Sequence, residues 1–437
     1  MKKKALKFMV MVALFITGSF ARPAEPTTLP LAERMFILSK TYAAVNTYFS
    51  HWNSIPNFSL DSTFREFLKR AVDTENRFDF DLLMMEFISK LRNGHSWYYD
   101  RWLIKNFNQP LGFRFRYISG KWVVTESRVP GLERGDIIEK IDGQDFEDFY
   151  QSKKKYINAS SDREARVKIQ YRRFLFPRVF TLQVSGKGKV KIQRKAPPTP
   201  PAKKEASGKW LKEGVAYIKI PGFERPDLEK KALELVKKFS GARVLIVDVR
   251  GNSGGNTPSA LVDALQDRPY RFWTEATFLS IALFRSYKEF LASYGNLIPK
   301  ESRKPLEMLT GFFGNSYLMW TPSYQKPENT LFRGKLLILT DRGCASACED
   351  FVVSFKDNGR ALIVGERTAG SSGQPYIYMF NRDISVAIGA KREYMPDGTP
   401  FEGRGICPDE KVELTVEDIK SGKDPVLTRA LKVAEER

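Results

Sequence analysis

Histidine and cysteine are scarce in this sequence, with two and three copies in 437 residues. Two histidines leave little material for a metal-ligand cluster, so neither a metal nor a cofactor is expected. Three cysteines are too few for a disulfide scaffold, although one pair could form and leave a thiol over. Cys344 and Cys348 sit four apart, a poor spacing for bridging each other if that segment is helical; Cys407 could reach either. Beyond the first 21 residues no apolar run is long enough to span a bilayer, so stable membrane insertion is not expected. Zinc-finger spacings and RNA-binding aromatic signatures are missing too, which argues against nucleic acid as a partner.

What is present begins with "MKKKALKFMVMVALFITGSFA". A lysine-rich start, a short apolar run and small residues at Ser19 and Ala21 describe a secretory signal peptide over residues 1–21. A membrane anchor is the other reading, but the run is short for one. No cysteine near Ala21 offers a lipid attachment point. The expected destination is across the inner membrane, in the periplasm. The net charge is +20, and losing the four lysines of that segment leaves +16. Such a surface solvates the protein and can steer substrate.

The chain then changes character several times. Residues 29–107 read as a helical domain: Phe80, Leu83, Met84, Phe87, Ile88 and Leu91 form one apolar stripe. Asn93-Gly94 stops that helix and puts His95 at the start of a loop. Residues 108–187 alternate and are rich in β-branched and aromatic residues, as in a β domain. Residues 188–209 are basic and proline-rich and read as a linker. From 210 to 437, apolar strands such as "VLIVDV" and "KLLILT" alternate with helices, the pattern of a mainly parallel, covered sheet. The aromatic-rich segment 266–333 reads as a helical insertion.

Ser346, in "RGCASACEDF", falls at a strand–turn–helix junction. There the first N–H groups of the helix would face an anion developing on a carbonyl oxygen. A serine at a helix start is more often a cap, so the local sequence leaves nucleophile and cap both open. A hydroxyl nucleophile also needs a base. His95 in its loop is the better candidate; His51, in "YFSHWNS", reads as a structural or surface histidine.

Four separated segments then combine. "LRNGHS" (91–96), "VDVRGNSGG" (247–255), "CASACE" with "GRALIVGERTAG" (344–370) and "FEGRGICPDE" (401–410) together resemble the C-terminal processing (tail-specific) serine peptidases, in particular their tricorn-core-like branch. The resemblance is close over about 210–415 and includes the loop at His95. It implies an α/β catalytic domain of the crotonase/ClpP-like type, with a PDZ-like domain at 108–187 whose Leu111, Gly112 and Phe113 would hold a peptide carboxylate through backbone N–H groups. It implies a Ser346–His95–Glu402 triad, with Glu402 holding the imidazole. The oxyanion hole would combine the Ala347 N–H with one from Gly254 or Gly255, and Asp248 and Arg250 would brace that turn. Many relatives use a lysine where this chain has Ser371, which excludes a dyad through that site; Lys391 and Lys356 are the remaining substitutes. Gly94 replaces an auxiliary serine of the tricorn-type site, so a supporting hydroxyl would come from Ser96 or Ser371. The implied partner is a peptide or unfolded protein, acted on through an acyl-enzyme; oligomerisation is possible. The competing readings are a non-hydrolytic peptide- or ligand-binding protein on the same fold and a Ser–Lys peptidase. Cys344 and Cys348 read as small packing residues rather than nucleophiles.

Overall fold

A computed structural model describes residues 27–194, 205–278 and 317–436. The segment read as a signal peptide lies outside them. Three helices open the described chain: Leu31–Tyr48, Leu60–Asp73 and Arg77–Ser89. Side-chain oxygens start the second and third, Ser59 accepting from Ser62 N and Asn76 from Phe78 N and Asp79 N. The apolar stripe of the third, from Phe80 to Leu91, is buried throughout. After it, Arg92 adopts φ +47° and turns the chain. Residues 93–96 then lead into the strand Trp97–Asp100, which pairs antiparallel with Ile384–Gly389 near the other end of the sequence. A buried ion pair, Arg77 Nε to Asp100 Oδ2 at 2.7 Å, ties the helix start to the strand end. The loop at His95 is thus suspended between the N-terminal helices and the C-terminal part of the chain.

The strands Phe113–Ile118, Lys121–Ser127, Ile137–Ile141, Val179–Val184 and Gly188–Gln193 form an antiparallel sheet in that order. Phe115, Trp122, Phe146 and Phe176 fill its core. The helices Phe146–Lys154 and Asp162–Lys168 accompany it. The stretch read as a linker from 188 needs correcting, because Gly188–Gln193 is an edge strand and Ser207–Lys212 begins the next sheet. Only Val190 and Ile192 point inward, alternating with exposed Lys189 and Lys191. Lysine-rich composition disguised an edge strand, where lysine is a common guard against pairing.

The second large sheet has the order Glu410–Lys411, Ala361–Gly365, Lys335–Thr340, Val244–Asp248, Val215–Lys219, Ser207–Lys212. All pairs are parallel except the last. Alternation sends Leu245 and Val247 into a cluster with Phe351, from the helix Ala347–Lys356, while Val244 and Ile246 pack with Val426 and Ala430 of the helix Pro425–Glu435. Both faces are covered, which is why these strands read as unbroken apolar runs. The flanks of the segment expected to be helical, Thr274–Phe278 and Tyr317–Trp320, are strands paired with each other, and the first also pairs with Lys391–Tyr394. Residues 266–273 and 321–333 of that segment are not helical either, and residues 279–316 lie outside the described residues.

Candidate active site

The parallel strand Lys335–Thr340 ends in a turn, and the helix Ala347–Lys356 begins six residues after Asp341. Ser346 stands at that helix start with φ +57° and ψ −129°, a conformation non-glycine residues rarely hold without support. Its N–H donates to Ser371 O at 2.9 Å and to Glu349 Oε2 at 3.2 Å, the latter as part of a capping box. Its Oγ lies 3.1 Å from His95 Nε2. Capping position and nucleophile geometry therefore meet in one residue.

Cys344 and Cys348 are bridged, which corrects their reading as separate packing residues. Cys344 precedes the helix and Cys348 is its second residue. The kink at Ser346 brings their Cα atoms to 5.4 Å, within ordinary disulfide range. Cys407 remains free and exposed.

Glu349 is fully buried and organises this turn. Oε1 accepts from Thr368 Oγ1 at 2.6 Å and Gly370 N at 2.7 Å, and Oε2 accepts from Ser371 N at 3.0 Å besides Ser346 N. Burial pushes this carboxyl well up from its ordinary range, and the hydrogen bonds pull against it. One side chain thus fixes the Ser346 backbone and the 368–371 loop together.

His95 Nδ1 meets Ser371 Oγ at 3.1 Å. Glu402, expected against the imidazole, makes different contacts: its Oε1 accepts from Asn93 Nδ2 at 3.0 Å and from Ser160 Oγ. Ser160 Oγ in turn accepts from Gly94 N at 2.8 Å, and Asn158 Nδ2 donates to Gly94 O at 2.8 Å. Glu402 therefore grips the loop that carries the histidine, and Ser371 faces the ring. A Cβ placed on Gly94 would fall 2.2 Å from Ser371 Oγ. The glycine is required because Ser371 and Glu164 fill the space a side chain at 94 would use. Ser96 is engaged elsewhere, donating to Asn93 Oδ1 at 2.9 Å.

Burial, helped by Lys168 and Lys391, draws His95 down to about 3, so the ring is neutral near pH 7. Burial lifts Glu402 to about 8, aided by Glu164 and Glu393, and its Oε2 is buried without a partner. Neither lysine weighed as a base is free: Lys391 Nζ pairs with Glu275 at 2.6 Å and Glu393 at 3.3 Å, and Lys356 pairs with Asp409. His51 is buried, its Nε2 3.0 Å from Lys391 O.

Gly254 and Ala347 are neighbours; a Cβ on Gly254 (φ +94°) would lie 2.7 Å from Ser346 Cβ and 3.0 Å from Ala347 N. The Gly254 N–H is taken by Asn252 Oδ1 at 2.9 Å. The Gly255 N–H has no hydrogen-bond partner among the described residues. Behind this turn Asp248, held down at about 2 against its burial by Arg250 and Lys219, pairs with Arg250 at 2.7 Å. In the antiparallel unit, Leu111 and Phe113 send their side chains into the core, and Gly112 has φ +88°. Among the described residues no group of three or more metal-ligating side chains occurs, and no helix is long and apolar enough to cross a membrane.

With this geometry in place, residues 214–412 match the family model of Peptidase family S41. The match covers 199 of the 437 residues, and it is this stretch that is similar to the S41 peptidases. The chain is 24% identical over 208 residues to a C-terminal processing peptidase, chloroplastic, of Tetradesmus obliquus, covering 47% of this chain and 36% of that one. It is 23% identical over 198 residues to carboxyl-terminal-processing peptidase 2, chloroplastic, of Arabidopsis thaliana, covering 45% and 31%. The matches thus span about a third of the length of these curated relatives. Among solved structures, mature CPAF superposes with a TM-score of 0.70 at 16% identity over 92% of this chain and 96% of that one, a likeness of fold.

Three supporting residues went unread in the sequence. Glu349 carried a visible sign, since Ser346-x-x-Glu349 has capping-box spacing. Ser160 and Asn93 carried none, because their roles arise only when distant segments meet.

Proposed function

We propose that this chain is an exported serine endopeptidase that hydrolyses peptide bonds in peptides or in C-terminal tails of proteins. The observation that carries this reading is the 3.1 Å approach of His95 Nε2 to Ser346 Oγ. The base and nucleophile lie 251 positions apart in sequence. In this reading Ser346 Oγ attacks the scissile carbonyl while His95 Nε2 takes its proton and later passes it to the leaving amine. The N–H groups of Ala347 and Gly255 receive the oxyanion. Water then releases the acyl-enzyme by the same route. Ser371 Oγ accepts from Nδ1–H and selects the tautomer that leaves Nε2 free as base. Glu402 acts one step back, as a positioning residue for the histidine loop.

The wider reading is a crotonase/ClpP-like catalytic unit joined to a PDZ-like unit. Backbone N–H groups at Leu111, Gly112 and Phe113 would receive a peptide carboxylate. The lysine-rich, apolar start of the sequence supports export to the periplasm. Hydrolysis of a fluorogenic peptide library by the parent, Ser346→Ala and His95→Ala proteins tests the catalytic core. Loss of about 10²–10⁴-fold is expected for the histidine variant. Parent-like turnover in either variant would defeat the peptidase reading.

A further inference from the structure

A charged cavity of about 280 Å³ opens at the carboxyl ends of the parallel strands Lys335–Thr340, Ala361–Gly365 and Glu410–Lys411. Open α/β sheets bind ligands beyond strand carboxyl ends more than anywhere else. Four cations line it: Arg163 from the helix Asp162–Lys168, then Arg342, Arg367 and Lys411, each at or just past a strand end. Two of the four are balanced. Arg342 and Arg116 share the Glu366 carboxylate, and Lys411 pairs with Glu413 at 2.7 Å.

The other two are not. Arg163 sends Nη2 to the backbone oxygens of Thr368, Ala369 and Arg404, and Arg367 reaches the Cys407 sulfur at 3.4 Å. Neither has a carboxylate partner among the described residues. The Nε atoms of Arg163 and Arg342 are both buried without a hydrogen-bond partner. A buried donor without an acceptor is costly, and guanidinium groups match planar or tetrahedral oxyanions with paired N–H bonds. Burial first, and then repulsion from Arg342 and Arg367, lowers Arg163, as expected where positive charge outruns its partners.

We propose that this cavity is a binding site for a small oxyanion, bearing a phosphoryl or carboxylate group, held by Arg163, Arg342 and Arg367. Its volume falls just below the range of drug-sized ligand pockets, which favours a small anion over a peptide. The site is distinct from the Ser346–His95 pair, and its test does not depend on peptidase activity.

Titrating the full chain with inorganic phosphate, and separately with succinate, at ionic strength fixed with NaCl, tests the proposal by calorimetry. A second readout is alkylation of Cys407, the free thiol in the cavity wall. Saturable binding of either anion is expected, with slower Cys407 alkylation when the site is full. Arg367→Gln, an exposed change, should weaken binding about tenfold or more, and Arg367→Lys should restore part of it. Phosphate alone binding would assign the phosphoryl group, and succinate alone the carboxylate. No saturable heat with either anion, or equal affinity in Arg367→Gln, would overturn the site.

Discussion

The two halves of the candidate active site are held in opposite ways. The nucleophile turn is built almost wholly within one sheet–helix unit. A parallel strand delivers it, a disulfide brackets it, and one buried carboxylate binds its backbone to the adjacent loop. The histidine loop owns almost none of its support. Gly94 is held by Ser160, Asn158 and Lys168, Asn93 by Glu402, and the ring by Ser371. The strained Ser346 is locked by local over-determination, while His95 is set by convergence of three distant segments. Damage to the first half should therefore cost stability and turnover together, and damage to the second mainly turnover.

The largest effect should come from Glu349→Gln. The amide places a donor where the carboxylate accepts, so buried N–H groups lose acceptors at about 1–3 kcal/mol each. A fall in melting temperature and near-complete loss of peptide hydrolysis are expected together. A variant that melts like the parent would break the contrast at its stronger end.

Ser371→Ala probes the other half. The ring loses its Nδ1 partner while the nucleophile turn keeps its backbone contacts. Turnover should drop by about 10²-fold or less, with KM and melting temperature nearly unchanged. A sharper version moves the hydroxyl. Gly94→Ser alone should be damaging, because its Cβ would lie 2.2 Å from Ser371 Oγ. Adding Ser371→Gly relieves one of two clashes, since the Cβ would also lie 2.4 Å from Glu164 Oε1, so even a partial return of activity would show a hydroxyl serving the ring.

Smaller effects are expected from replacing both Cys344 and Cys348 with alanine. Loop entropy for so short a bridge amounts to about 2 kcal/mol. Because Glu349 still holds the turn, kcat should fall only several-fold with KM intact. A loss as large as that of Glu349→Gln would make the bridge, rather than the carboxylate, the main restraint on Ser346.

The same contrast explains what the sequence disclosed. The covered parallel sheet was legible because Val244–Asp248 and Lys335–Thr340 are unbroken apolar runs, and the strand–turn–helix junction at Ser346 was legible because it is local. The edge strand Gly188–Gln193 was hidden by its lysines, and the strand Thr274–Phe278 by an aromatic-rich neighbourhood. The Cys344–Cys348 bridge was missed because a helical spacing was assumed across a residue with φ +57°. The partners of His95 were the least legible. Whether Glu402 or Ser371 faces Nδ1 is set by how segments 276 residues apart pack, and no local pattern encodes that.

The least disruptive change, Glu402→Gln, separates the halves by pH. The imidazoles of His51 and His95 are both drawn down to about 3 by burial from an ordinary 6.5. The unfolded chain therefore binds more protons between those values, and their contribution to stability rises with pH across that window. Burial lifts Glu393 and Glu402 to about 8 from an ordinary 4.5, so the folded chain holds the extra protons there and stability falls as pH rises from 4.5 to 8. For these four groups the contributions rise from pH 3 to 4.5, cancel from 4.5 to 6.5, and fall from 6.5 to 8. Glu402→Gln keeps an acceptor for Ser160 and Asn93 but removes one of the two falling contributions. Its melting temperature, followed by circular dichroism across pH 6.5–8, should decline less steeply than that of the parent. Parallel curves would place the Glu402 carboxyl outside this titration.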